Sequence, residues 1–150
     1  MTLRASMASP LGPITVVESE GLITALEWCG GGQDETPLLN AARDQLAEYL
    51  AGRRRSFDLP LDFGGGFQGR LRRALAAIPY GETRTYGELA RRLAAPAQAV
   101  GQACGANPIP ILIPCHRVLA AGGLGGFSAK GGIETKVFLL KLEGAASLLL

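Results

Sequence analysis

Apolar and polar positions change their spacing several times along the chain, and each change predicts an element. From Gly12 to Trp28, β-branched runs (Ile14-Thr15-Val16-Val17 and Leu22-Ile23-Thr24-Ala25-Leu26) flank Ser19-Glu20-Gly21, which predicts a hairpin. After Gly30-Gly31-Gly32, the period lengthens. Leu39, Ala42, Leu46, Tyr49 and Leu50 fall on one helical face, with Thr36 placed as N-cap, Pro37 at the first helical position and Gly52 as the stop. Arg53-Arg54-Arg55 then reads as a solvated positive cluster at the helix C-terminus. Phe57–Leu61 predicts one more short strand. Gly64-Gly65-Gly66 separates an N-terminal α/β part, residues 1–63, from a helical part, residues 64–150.

The second part opens with a helix over Phe67–Ile78 that carries Leu71, Ala74, Leu75 and Ile78 on one face. Ile78-Pro79-Tyr80-Gly81-Glu82 is a connecting turn. Thr85-Tyr86-Gly87-Glu88 is a capping box that opens a helix to about Leu93, Ala94-Ala95-Pro96 breaks it, and Pro96 starts a second helix over Ala97–Gly105. This is the grammar of a helix-turn-helix, although two short packed helices without any partner would be written the same way. Small residues along the second helix (Ala97, Ala99, Gly101, Ala103, Gly105) permit close backbone approach, to a duplex or to another helix. The glycine-dense stretch 120–128, with Leu124 and Phe127 set into it, reads as a shaped loop. A last helix spans Ile133–Glu143 with Ile133, Val137 and Leu140 toward the core, and Gly144 sits at C′.

Composition narrows the class. The 150 residues are 47% hydrophobic, enough for a packed core and against global disorder. No run approaches the roughly 18 apolar residues of a membrane span, and Met1–Ser6 does not resemble a secretory leader. Cys29, Cys104 and Cys115 are widely spaced and suggest no disulfide framework, so a reducing, cytoplasmic setting is expected. The net charge of +2 hides an asymmetry: residues 1–62 hold nine acidic and five basic side chains, and residues 63–150 hold four and ten. A polyanion would favour the second half, as would mere solvation of a basic surface.

The candidate chemistry lies in Asn107-Pro-Ile-Pro-Ile-Leu-Ile-Pro-Cys-His-Arg-Val118, where Cys115 stands beside His116, the only histidine. Three prolines argue against a helix or central strand and for an extended, stiff segment that delivers one thiol. A thiol needs a basic or cationic neighbour to become a nucleophile, and His116 is a candidate base. Neighbours in an extended chain point to opposite faces, so His116 would reach Cys115 around a turn or through a water. A buried cysteine beside a structural histidine remains the other reading.

Pro114-Cys115-His116-Arg117-Val118, with Asn107-Pro108 before it and Leu140-Lys141-Leu142-Glu143-Gly144 after it, resembles the acceptor region of the O6-alkylguanine-DNA alkyltransferases, also called methylated-DNA–protein-cysteine methyltransferases. Weaker similarity covers most of the chain. The resemblance implies a ribonuclease H-like small α/β domain followed by a mostly α, winged-helix-like domain. It implies irreversible alkyl transfer from O6 of guanine to Cys115, used once, with no metal and no organic cofactor. His116 would take the thiol proton through a water, Glu143 would orient the imidazole, and Asn107 would hold the backbone. Tyr86, Phe127 and Ser128 would engage the flipped base, and the Cys115 and Val118 carbonyls would accept from its amine. Tyr86, Gly87, Ala95, Gln98, Ala99 and Gly101 would line the DNA side, with the second helix in the minor groove. Glu143 could instead pair with Lys141 or Lys136.

Three departures matter. The family usually has an arginine near the start of the second helix to fill the gap left by the flipped base, where this chain has Gln98. The interval after Pro96 and the glycine loop are also shorter. The expected partner is double-stranded DNA carrying O6-alkylguanine, bound by a monomer with no membrane contact. The alternative implied by Gln98 is an alkyltransferase-like damage-binding or signalling module with weak transfer. A cysteine hydrolase would need an oxyanion hole that nothing in the sequence indicates.

Overall fold

Alternating and β-branched positions near the N-terminus build a three-stranded antiparallel sheet in the computed structural model, which describes residues 1–125 and 132–145. Its order is β1 (Thr2–Met7), β2 (Ile14–Ser19), β3 (Leu22–Glu27). Glu20 and Gly21 both take positive φ (53° and 75°), the two-residue hairpin turn whose twist matches its strands. Strand β1 is an addition to the expected hairpin. Leu3, Ala5 and Met7 alternate with polar residues, and β1 pairs with β2 in register from Thr2↔Ser19 to Met7↔Ile14. Helix α1 (Pro37–Leu50) begins where expected: Thr36 Oγ1 accepts from Leu39 N at 3.0 Å, with Pro37 in the first turn. Its five expected apolar side chains are the buried ones, and it packs on β1 and β2.

The strand expected over Phe57–Leu61 reduces to one parallel bridge, Ile23↔Leu61. Pro60 explains this, because it accepts from Ile23 N (2.8 Å) but has no N–H to continue a ladder.

The chain folds as two compact units, Met1–Asp62 and Phe63–Leu150. In the second, α2 (Gly66–Ala76) is followed by β4 (Arg84–Thr85), α3 (Tyr86–Leu93), α4 (Ala97–Gly105), a 3-10 turn (Cys115–Arg117), β5 (Val118–Leu119) and α5 (Ile133–Leu142). Both halves of the α3 capping box are present: Thr85 Oγ1 accepts from Glu88 N at 3.1 Å, and the Glu88 carboxylate accepts from Thr85 N at 3.4 Å. Helices α3 and α4 pack together around buried Leu89, Leu93, Val100 and Ala103. Strands β4 and β5 pair in parallel, Arg84↔Val118 and Thr85↔Leu119, which ties the start of α3 to the segment after Cys115.

Helix α5 buries a different stripe from the expected one. Leu140 is buried, but Val137 is half-buried and Ile133 is 40% exposed. Thr135, Lys136, Leu139 and, just past the helix, Glu143 go inside instead. Polar partners in the interior draw Lys136 and Glu143 inward and rotate the helix away from its most apolar face. No helix among the described residues is long and apolar enough to cross a membrane.

Candidate active site

The segment before Cys115 is a chain of tight turns, not the expected extended rod. Ile111 has φ of +69°, and Leu112 N donates to Pro110 O at 2.8 Å across it, a γ-turn of the left-handed kind. Ile113 N then returns to Ile109 O at 2.9 Å. Pro114 (φ −79°, ψ 67°) forms an inverse γ-turn, closed by Cys115 N to Ile113 O at 2.8 Å. The prolines restrict φ to values that γ-turns and 3-10 turns also use, and they leave few donors for a ladder. A β-branched residue at positive φ costs about 1–3 kcal/mol and persists only where its surroundings hold it. Here the hold is burial, since every residue from Ile109 to Leu119 is buried. Asn107 adds to it from both ends of its amide: Nδ2 donates to Ile113 O at 2.9 Å and Oδ1 accepts from Ile109 N at 3.1 Å.

Cys115, His116 and Arg117 form the 3-10 turn that ends this run, and Val118 N closes it on Cys115 O. His116 Nε2 lies 2.8 Å from Glu143 Oε2 in a fully buried contact. Arg117 grips the same carboxylate in two places, Nε to Oε1 at 2.8 Å and Nη2 to Oε2 at 2.9 Å. Its Nη1 donates to Ile78 O at 2.6 Å. Glu143 therefore pairs with His116 and Arg117, from the far end of α5. Because the guanidinium engages both carboxylate oxygens, Glu143 acts as an acceptor, and His116 Nε2 must carry the hydrogen. That leaves the lone pair on Nδ1, which is buried and has no hydrogen-bond partner among the described residues.

Burial governs the titration of this cluster. It pushes the Cys115 thiol up, against the smaller opposing pull of the Asn107 amide and the Lys136 charge. It pushes His116 down, against the Glu143 carboxylate. The resting pair is thus a neutral thiol beside a neutral imidazole. Cys104, on α4, is pushed up to about 12, first by burial and then by the charge of Cys115. Lys136 is lowered to about 8 by burial. Its Nζ donates to Val118 O at 2.6 Å and stands 6.0 Å from the Tyr86 ring centre.

The expected site residues therefore divide. Asn107, Cys115, His116, Val118 and Glu143 come together in one buried cluster. Tyr86, half-buried at the start of α3, joins its edge and is raised by burial and then by the charges of Cys104 and Cys115. The Cys115 carbonyl accepts from Val118 N, and the Val118 carbonyl accepts from Lys136 Nζ. Gly87, Ala95, Gln98, Ala99 and Gly101 lie on α3, α4 and their turn. Gln98 is exposed, and a Cβ placed on Gly101 would meet open space. Phe127 and Ser128 lie outside the described residues.

Sequence reasoning missed three contributors. Along the chain Arg117 is only part of a motif, Lys136 only an alternative partner for Glu143, and Gly125 only one of many glycines. Gly125 takes φ of +72°, and a Cβ there would sit 3.0 Å from Tyr86 Cε2, so the loop backbone passes directly over that ring. The buried partners of the first two are far away in sequence, and no local spacing reports them.

Residues 2–63 match the ribonuclease-like domain of 6-O-methylguanine DNA methyltransferase, and residues 66–145 match the DNA-binding domain of the same family. The methylated-DNA–protein-cysteine methyltransferase of Mycobacterium tuberculosis (strain H37Rv) is 45% identical over 147 residues, covering 90% of this chain and 88% of that protein. That of Methanosarcina acetivorans is 43% identical, covering 94% and 97%. The crystal structure of M. tuberculosis OGT in complex with DNA superposes with a TM-score of 0.82 at 41% identity, covering 95% of this chain and 93% of that one. With both domains matched and relatives this similar along nearly its whole length, the chain belongs to the methylated-DNA–protein-cysteine methyltransferase family.

Proposed function

We propose that this protein repairs duplex DNA by taking the alkyl group from O6 of an alkylated guanine onto Cys115 Sγ. The observation that carries the reading is the buried His116–Glu143 contact beside buried Cys115 in the chain, with His116 Nδ1 left without a partner among the described residues and so available to accept a proton. The thiol proton passes to Nδ1 through a water, and the imidazolium so formed is held by Glu143. The sulfur pair then attacks the saturated carbon, the S–C bond forms as the C–O6 bond breaks, and the released electron pair leaves on the guanine, which takes up a proton. A thioether has no leaving group that this site could expel, so each molecule acts once.

The target atom is buried in a stacked duplex, so the base must leave the helix, at a cost of a few kcal/mol. Helix α4 suits the approach, with exposed Ala97 and Gln98 and an open face at Gly101. Tyr86 would meet the flipped base, with Gly125 close over its ring. The roles of Phe127 and Ser128 at the base stay part of the same reading. We further propose that the protein works as a cytoplasmic monomer without a metal or cofactor. The test is intact mass after incubation with an O6-methylguanine duplex. One added methyl group on Cys115 supports the proposal, and repeated turnover or an unmodified Cys115 overturns it.

A further inference from the structure

Arg117 has no part in the proton route just described, yet its guanidinium is buried against the carboxylate that orients His116. It donates to both oxygens of Glu143 and to Ile78 O, and its guanidinium carbon lies 5.8 Å from the Tyr80 ring centre. Tyr80 OH in turn donates to Leu142 O at 3.1 Å, and Gly81 N to Glu143 Oε1 at 3.4 Å. One side chain thus joins the 3-10 turn, the turn after α2 and the end of α5 around a single carboxylate.

We propose that Arg117 is a positioning residue for alkyl transfer: by clamping Glu143 as a neutralised acceptor, it fixes His116 in the Nε2–H tautomer and keeps Nδ1 unprotonated at the pH of the reaction. The inference rests on the proposed alkyl transfer for its rate readout, but not for its spectroscopic one. A bare carboxylate buried against an imidazole would bind a proton avidly as a pair. That proton would sit on the imidazole, giving His⁺, or on the carboxylate, which would then donate to Nε2 and force the hydrogen onto Nδ1. Either arrangement removes the acceptor proposed for the thiol proton. A permanent cation on both carboxylate oxygens suppresses the uptake. The other charged or titratable groups around His116 are Lys136 on α5, whose charge acts in the same direction as that of Arg117, and Cys115 beside it in the turn. Tyr80 lies against the Arg117 guanidinium.

His116 is the only histidine, so its ring nitrogens can be followed by 15N NMR without assignment ambiguity. In the unmodified protein near pH 7.5, Nε2 is expected protonated and Nδ1 bare. An imidazolium or an Nδ1–H tautomer at that pH overturns the proposal before any variant is made. Single-turnover methyl transfer from an O6-methylguanine duplex is then followed across pH for the wild type, Arg117→Gln and Arg117→Lys. The acid limb of Arg117→Gln should move up by one pH unit or more, with the His116 titration moving alongside it. Arg117→Lys, which keeps the charge, should hold its limb close to that of the wild type even where its rate falls. A rate lowered equally at every pH in Arg117→Gln makes Arg117 merely structural, and a limb displaced by a unit in Arg117→Lys removes the role of charge. Should Arg117→Gln not fold, the wild-type tautomer and the lysine variant still decide the matter. If the wild type takes up no methyl group, the alkyl-transfer reading fails, while the His116 titrations still test Arg117.

Discussion

Asn107 and Ile113 are joined by a 2.9 Å hydrogen bond from side-chain amide to main-chain carbonyl, and that bond spans the strained turn at Ile111. The same carbonyl accepts from Cys115 N, so the bond links the end of α4 to the backbone of the thiol. Asn107→Ala removes this bond and the one to Ile109 N, leaving polar backbone in a buried segment. The orphaned Ile109 N costs about 1–3 kcal/mol, and Ile113 O, which keeps Cys115 N, costs less. We expect a lower urea midpoint with an unchanged slope, together with transfer to Cys115 slowed beyond what the lost stability explains. Asn107→Asp keeps Oδ1 for Ile109 N but loses the donor, and should fall between the two. Wild-type transfer in a folded Asn107→Ala protein would show that the turn holds itself.

The acceptor prediction concerns competition among thiols. Cys104 is also buried and lies close enough to Cys115 for their charges to interact, but burial pushes it up to about 12. It has no imidazole beside it, whereas Cys115 has His116. Peptide mapping after reaction with an O6-methylguanine duplex should find methyl only on Cys115, Cys115→Ser should accept none, and Cys104→Ala should still accept one. Methylation of Cys104 in the Cys115→Ser protein would place the activating geometry elsewhere in the cluster.

Much of this was legible along the chain because it is local. Thr36 caps α1, Thr85 and Glu88 close their box, Glu20-Gly21 turns the hairpin, and the five apolar residues of α1 are buried, each read from neighbours within a few positions. The motif also pointed to Cys115, His116 and Glu143, on the strength of resemblance. What stayed hidden depends on partners far away. The positive φ of Ile111 contradicts its own steric preference and is set by packing around the turn. The inward rotation of α5 follows from Lys136 meeting Val118 O and Glu143 meeting Arg117, across 18 and 26 residues. Apolar periodicity alone would have turned that helix the other way.

The depressed proton affinity of His116 makes a prediction for stability. Its folded pKa lies below that of an unfolded histidine, near 6.5. Above about pH 6.5 both states are neutral at this ring and its contribution is fully present. As pH falls below that value, the unfolded chain binds a proton that the folded chain does not, and stability is lost until the folded pKa is passed. The slope for one such group is about 1.4 kcal/mol per pH unit. Wild type and His116→Gln, compared by urea unfolding between pH 7.5 and 5, should converge as the pH drops, because only the wild type carries this term. Parallel curves would mean that His116 titrates alike in both states.

Gln98 stands where the resemblance leads one to expect an arginine, and its position makes that difference testable. It is exposed in the first turn of α4, two residues after Pro96, clear of the buried Val100 and Ala103. A neutral amide there can hydrogen-bond within a vacated base stack, but it lacks the charge and the broad plane of a guanidinium. It should therefore stabilise an extrahelical base poorly, so the rate on duplex DNA relative to that on free O6-alkylated base should be lower in the wild type than in a Gln98→Arg variant. Gln98→Arg should accelerate duplex repair while leaving the free-base reaction unchanged, since the thiol chemistry is untouched. A new phosphate contact would also tighten binding, and it would announce itself by steepening the salt dependence by about one counterion. Gap filling should persist at high salt, whereas a phosphate contact should fade. Single-turnover rates on both substrates, for both proteins at two salt concentrations, separate these effects. If the variant accelerates both substrates equally, or neither, then the residue at this position does not fill the gap left by the base.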